Sequence, residues 1–176
     1  MYTRNLLWLV SLVSAAPLYA ADVPANTPLA PQQVFRYNNH SDPGTLDPQK
    51  VEENTAAQIV LDLFEGLVWM DGEGQVQPAQ AERWEILDGG KRYIFHLRSG
   101  LQWSDGQPLT AEDFVLGWQR AVDPKTASPF AGYLAQAHIN NAAAIVAGKA
   151  DVTSLGVKAT DDRTLEVTLE QPVPWF

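Results

Sequence analysis

The sequence contains no cysteine. That excludes disulfides, thiolate zinc sites, cysteine nucleophiles and a lipid-modified N-terminal cysteine. Basic residues are also scarce, with 12 Lys and Arg against 21 Asp and Glu for a net charge of −9. Arg4 is the only charge among the first twenty residues, so without that stretch 11 basic face 21 acidic residues. A chain so acidic lacks the cations that neutralise phosphates, which argues against nucleic acid and against an anionic membrane surface. There is no G-x-x-x-x-G-K-[ST] or G-x-G-x-x-G phosphate loop and no G-x-S-x-G elbow. The three histidines, His40, His96 and His138, form no short ligand spacing, and no metal or cofactor is expected. One apolar run occurs, Leu6 to Ala16, and it is shorter than the roughly 20 residues a membrane-spanning helix needs.

That run follows Arg4 and precedes Pro17-Leu-Tyr-Ala20, which reads as a secretory signal peptide over residues 1–20, cut between Ala20 and Ala21. An uncleaved anchor is the alternative. An exported chain without disulfides must rely on its core or on a larger chain around it. The 176 residues, 45% hydrophobic and 19% charged, are enough for an ordinary globular domain.

Past the leader, Asp22 to Gln33 carries three prolines and reads as an extended arm. Val34 to Asn38 alternates like a strand. A turn-rich loop, with Asp42-Pro-Gly44 and Asp47-Pro48, leads to a helix from about Thr55. Its apolar stripe is Ala56, Ile59, Val60, Leu63, Phe64 and Leu67, suited to lying on a sheet, with Gly66 marking its end. Val68–Met70 and Gln75–Gln77 flank Asp71-Gly-Glu-Gly74 as a short hairpin. That turn resembles a calcium loop but lacks the ligand ladder and closing glutamate.

The densest stretch is 79–118, which holds three of the six tryptophans. Asp88-Gly-Gly90 is hairpin chemistry, and Tyr93, Phe95 and Leu97 share one face of the return strand. Trp103-Ser-Asp-Gly106 is a further turn. Thr110 reads as a helix N-cap, with Asp113 reaching back to it. Ala111, Phe114, Val115, Trp118, Ala121 and Val122 form the helix's apolar stripe, and Asp123-Pro124 stops it. Thr126 to His138 reads as loop. Asn140 to Gly148 reads as a helix, and Val157–Thr160 and Arg163–Leu169 as strands with Leu165, Val167 and Leu169 inward. Trp84 and Trp118 are expected in the core, Trp175 and Phe176 exposed.

The fold class is therefore α+β, with a mostly antiparallel sheet and packing helices. An acidic, tryptophan-rich exported chain could be a glycan hydrolase using Asp105, Glu112 and Asp113. Those residues already fit a turn and a helix's first turn, where the dipole favours negative charge. No enzyme is expected.

Longer motifs sharpen this reading. Ala81-Glu-Arg-Trp84, Tyr93-Ile-Phe-His-Leu-Arg98, Trp103-Ser-Asp-Gly106 and Leu109-Thr-Ala-Glu-Asp-Phe114 resemble the family 5 extracellular solute-binding proteins. These are the dipeptide and oligopeptide receptors of bacterial ABC importers. Leu46-Asp-Pro48, Asp62 to Leu67, Trp118 to Pro124, Thr126 to Pro129, Leu155 to Ala159 and Thr164 to Leu169 look like its oligopeptide-binding branch, which includes murein-peptide-binding relatives. The resemblance spans roughly residues 34–176.

It implies a periplasmic, monomeric, two-lobed binding protein of type II, of which this is an N-terminal fragment. The partners would be an oligopeptide ligand and the membrane permease and ATPase subunits of the importer. Residues 21–64 would be the first segment of lobe I, 65–165 an inserted domain and 166–176 the start of the return to lobe I. A truncated, non-functional remnant is the alternative.

Two segments match the family's peptide site. One is Val51, Glu52, Glu53 and Asn54, where relatives lay backbone beside the ligand. Glu53 stands where they tend to have glycine and Asn54 where an apolar residue is common. The other is Phe130, where relatives often have tyrosine.

Overall fold

The computed structural model describes Thr27, Pro28, Pro31, Gln32 and residues 34–176. The leader, its cleavage site at Ala20–Ala21 and most of the arm lie outside the described residues. The chain divides between Asn38 and Asn39 into two compact units. In the first, residues 34–38 belong to no strand, against the expectation. Alternation creates two faces but not a ladder partner, and no described strand supplies one. Phe35 and Tyr37 stack there with centroids 6.0 Å apart.

The second unit is built on two antiparallel sheets. Strands β1 (Val68–Met70) and β2 (Val76–Pro78) form a hairpin. Strands β3 (Ala81–Leu87), β4 (Arg92–Leu97), β5 (Val157–Asp161) and β6 (Thr164–Thr168) form the larger sheet, in the order β3-β4-β6-β5. Asp88, Gly89 and Gly90 all take positive φ, at 51°, 65° and 87°, and so close the β3–β4 hairpin. The period of two then sorts each strand. Tyr93, Phe95 and Leu97 of β4 and Leu165 and Val167 of β6 are buried, with Phe95 opposite Leu165 and Tyr93 opposite Val167. The other face carries polar pairs, such as the ion pair of Lys158 with Glu166 at 3.1 Å and the hydrogen bond of His96 with Glu85 at 2.7 Å.

Helix α2 (Ala111–Val122) packs on β5 and β6. Its start is fixed as the sequence predicts: the Asp113 carboxylate accepts the Thr110 N–H at 2.7 Å and its hydroxyl at 3.0 Å. Ala111, Val115, Ala121 and Val122 are buried, and Phe114 and Trp118 pack half-buried beside them. A fully buried valine such as Val122 contributes about 1.5–3 kcal/mol, and an alanine methyl less. Leu97, Ile139, Ile145, Leu165, Val122 and Val167 are almost wholly enclosed, which places the core between α2 and the sheet. Trp84 packs half-buried against that core.

Five further expectations need correction. Helix α1 spans Asn54–Leu63 and ends before Gly66. Phe64 is extended (φ −124°, ψ 136°), because the chain must open there to pair: the carbonyls of Gly66 and Leu67 accept the N–H groups of Gln80 and Ala81 at 3.1 and 2.9 Å. Its apolar stripe does not rest on a sheet. Ala56 is buried, but Leu63 and Phe64 are 61% and 44% exposed.

The segment read as loop contains a helix, α3 (Ala131–Gln136). Ser128 starts it, its hydroxyl accepting the Phe130 N–H at 3.2 Å and its carbonyl the Ala131 N–H at 3.2 Å. The next helix, α4 (Ala142–Val146), is shorter than expected because Asn141 sits in the left-handed region at φ 64°. Finally, Phe176 is not exposed: its ring meets Tyr93 edge-on, 4.6 Å between centroids. Trp175 is 53% exposed and tilts against Tyr133 at 5.7 Å.

Candidate functional site

The loop before α1 is held by a side chain far along the chain. Arg120, in the last turn of α2, donates from Nη1 to Asp47 Oδ1 at 3.0 Å and from Nη2 to Asp47 Oδ2 at 2.6 Å. Its Nη1 also donates to Gln49 Oε1 at 2.6 Å. Gln49 in turn donates from Nε2 to the Gly117 carbonyl at 2.5 Å. The fork of Arg120 holds the Asp47 carboxyl down at about 2, below its ordinary 3.8. Asp47 also organises its own turn. Its Oδ1 accepts the Gln49 N–H at 3.1 Å, and its carbonyl accepts the Lys50 N–H at 2.9 Å.

Beside this loop lies a groove of about 450 Å³. Pro48 and Gln49 of the loop line it together with Trp118, Phe130, Tyr133, Ile139 and Trp175. None of its lining residues is charged. A second groove, of about 520 Å³, lies between the 63–65 segment and Trp103, Phe114 and Trp118. Gln80 lines it with a buried Oε1 that has no hydrogen-bond partner. Gln49, Gly117 and Trp118 border both grooves.

The residues singled out from sequence do not all meet at this groove. Phe130 lines it and is 45% exposed. Val51 is buried, while Glu52, Glu53 and Asn54 are exposed at the start of α1. Glu53 accepts the Gly44 N–H at 3.2 Å. These four do not line the groove, but Pro48 and Gln49, just before them, do. Tyr133, Arg120 and Asp47 were not singled out. Asp47 and Arg120 each fall in a family-like motif, yet 73 positions separate them and nothing local links them.

Of the carboxylates considered for chemistry, Asp71, Asp105 and Asp113 have structural partners. Asp71 accepts the N–H groups of Glu73 and Gln75 at 3.0 and 2.8 Å and Gln77 Nε2 at 2.7 Å. The Gln75 bond leads in lowering its pKa. Asp105 accepts the Gln107 N–H at 2.9 Å, and Asp113 caps α2. Among the described residues no cluster of His, Asp and Glu could hold a metal ion, and no helix is long and apolar enough to cross a membrane. The arrangement is an aromatic-lined groove beside a loop fastened to α2.

A family model described as bacterial extracellular solute-binding proteins, family 5 middle, matches residues 75–176. The chain belongs to that family. The periplasmic oligopeptide-binding protein OppA of Salmonella typhimurium is 51% identical over 168 residues, 96% of this chain and 31% of the relative. The periplasmic murein peptide-binding protein MppA of Escherichia coli is 46% identical over 168 residues, with the same shares. Haemophilus influenzae OppA, solved in complex with RPPGFSPFR, is similar at a TM-score of 0.75 and 45% identity, covering 78% of this chain and 27% of that one. The E. coli murein tripeptide-binding protein MppA gives 0.73 and 47%, covering 76% and 26%. The chain thus spans 31% of the length of these curated relatives. Members are solute-binding proteins rather than enzymes, and the sheets and helices of this chain form part of a two-lobed, type II periplasmic-binding-protein fold.

Proposed function

We propose that this chain supplies the amino-terminal part of a periplasmic receptor that captures oligopeptides for an ABC importer. The observation that carries the reading is the 45% identical Haemophilus relative with a nonapeptide bound, matched over 78% of this chain. The groove beside Phe130 and the clamped loop before Val51 support it. Residues 21–64 would belong to lobe I, 65–165 to its inserted domain and 166–176 to the return. The leader would be cleaved between Ala20 and Ala21, giving a soluble, monomeric periplasmic protein without a lipid anchor.

Capture proceeds by closure of two lobes, with no bond made or broken in the ligand and no cofactor. Backbone groups of Val51 to Asn54 would read the peptide main chain by β-type hydrogen bonds, which tolerate many side chains. The loaded receptor would then engage the permease and its ATPase subunits.

Isothermal calorimetry with mixed tri- to pentapeptides tests this on two proteins. One is the 176-residue chain. The other is the chain joined to the remaining two thirds of the Salmonella relative. The joined receptor should bind at micromolar affinity or tighter, and the chain alone should not reach sub-micromolar affinity, since half of the clamp lies in the other lobe. A folded joined receptor that ignores peptides bound by the Salmonella protein would overturn the reading, as would peptide turnover by the purified chain.

A further inference from the structure

We propose that Arg120 is the positioning residue of the peptide site: it tethers to α2 the 45–50 turn, whose Pro48 and Gln49 line the Phe130 groove, and so sets where Val51 to Asn54 stand. The inference rests on the peptide-receptor reading.

The geometry carries it. Helix α2 is a fixed post, with Ala111, Val115, Ala121 and Val122 buried in the core and its first turn capped. Arg120 and Gly117 lie one turn apart on it, and the loop is fastened at both. Arg120 takes Asp47 through two parallel bonds and Gln49 through a third, while Gln49 reaches Gly117. Asp47 passes the constraint into the backbone through the N–H groups of Gln49 and Lys50. Its own N–H donates to Thr45 Oγ1 at 3.1 Å. The guanidinium therefore holds a whole turn rather than one side chain. Beyond the turn the chain has few other anchors: Val51 is buried, Glu52 to Asn54 are exposed, and α1 buries only Ala56.

A planar fork fixes direction as well as distance, which a lysine ammonium does not. The pair is also partly solvated, with side chains 46% and 25% exposed, and such pairs add little to global stability. The clamp should thus govern affinity far more than folding.

The test compares wild type, Arg120→Ala, Arg120→Lys and Asp47→Asn in the joined receptor, titrated with tri- to pentapeptides. Arg120→Ala and Asp47→Asn should each weaken binding about tenfold, and their combination should be no worse than either alone, as for two members of one interaction. Arg120→Lys should fall near the alanine variant. On the 176-residue chain, amide exchange should quicken at residues 49–54 in all three variants while α2 amides hold and the denaturant midpoint falls only slightly. Wild-type receptor that binds no peptide would sink the peptide reading itself. Wild type that binds, with variants of equal affinity or unchanged exchange at 49–54, would overturn the positioning role alone. A variant whose midpoint collapses together with α2 exchange would make Arg120 a general structural residue and also overturn it.

Discussion

Gly156 and Asn140 meet so closely that a single added carbon would not fit between them. The Gly156 N–H donates to the Asn140 carbonyl at 2.9 Å, and a Cβ built on Gly156 would stand 2.5 Å from Asn140 Cβ and 2.7 Å from the Thr168 oxygen. The Thr168 N–H in turn donates to the Gly156 carbonyl at 2.8 Å, and the Asn140 N–H to the Thr168 carbonyl at 3.0 Å. This triangle joins the entry of α4, the start of β5 and the end of β6. Gly156→Ala should destabilise the chain by roughly 1–3 kcal/mol, as overpacking against backbone does. Urea unfolding reads it directly. An unchanged midpoint would show that the triangle can open.

Acid should reveal the Asp47 clamp. Its carboxyl titrates at about 2 in the folded chain against an ordinary 3.8. A depressed carboxylate stabilises the fold fully above its unfolded value, and the contribution fades as pH falls, because the unfolded chain takes up the proton first. The difference in unfolding midpoint between wild type and Asp47→Asn should therefore stay level from pH 7 to about 4 and shrink toward pH 2. High salt should reduce it, since both partners are partly solvated. A difference that grows on acidification would contradict the assignment.

Much of the fold was legible because its cues are local. Asp88-Gly-Gly90 closes a hairpin, Asp113 caps its own helix three residues back, and Leu165, Val167 and Leu169 alternate inward as their period requires. The misreadings arose where distant backbone decided. Phe64 leaves the helix because Gly66 and Leu67 pair with Gln80 and Ala81, which no window around Gly66 reveals. Helix α3 was hidden by Ser-Pro-Phe, which reads as loop although the Ser128 hydroxyl anchors the helix entry at Phe130. In the site, Phe130 came from resemblance to relatives and lines the groove. Arg120 was invisible as a site residue, since a surface arginine in a last helical turn already satisfies the helix dipole.

Trp84 offers a check on the sheet. It stands opposite Phe95 across β3 and β4 and packs half-buried on the core. Trp84→Ala should cost about 3 kcal/mol, the low end for a truncated aromatic. Leu116, on the outer face of α2 and 55% exposed, is the control, and Leu116→Ala should change stability by about 0.5 kcal/mol or less. Equal effects in thermal or denaturant unfolding would mean that the tryptophan is not part of the core.

The composition of the groove beside Phe130 predicts which peptides it prefers. Its lining is aromatic and aliphatic, with Gln49 and Ser128 as polar members and no charge. A phenylalanine or leucine side chain entering it would gain about 1.5–3 kcal/mol from leaving water. An aspartate would have to shed its hydration with no cation to meet it. In the joined receptor, tripeptides with a central phenylalanine should thus bind at least about tenfold tighter than those with a central aspartate, a gap of about 1.4 kcal/mol. Phe130→Ala should close that gap by weakening the aromatic peptide while leaving the aspartate peptide unchanged. Phe130→Tyr, which restores the hydroxyl common among relatives, should keep the ring contact and the gap. If the two peptides bind alike in wild type, the groove does not seat the peptide side chain. If they differ but Phe130→Ala leaves the difference intact, the discrimination arises elsewhere in the receptor.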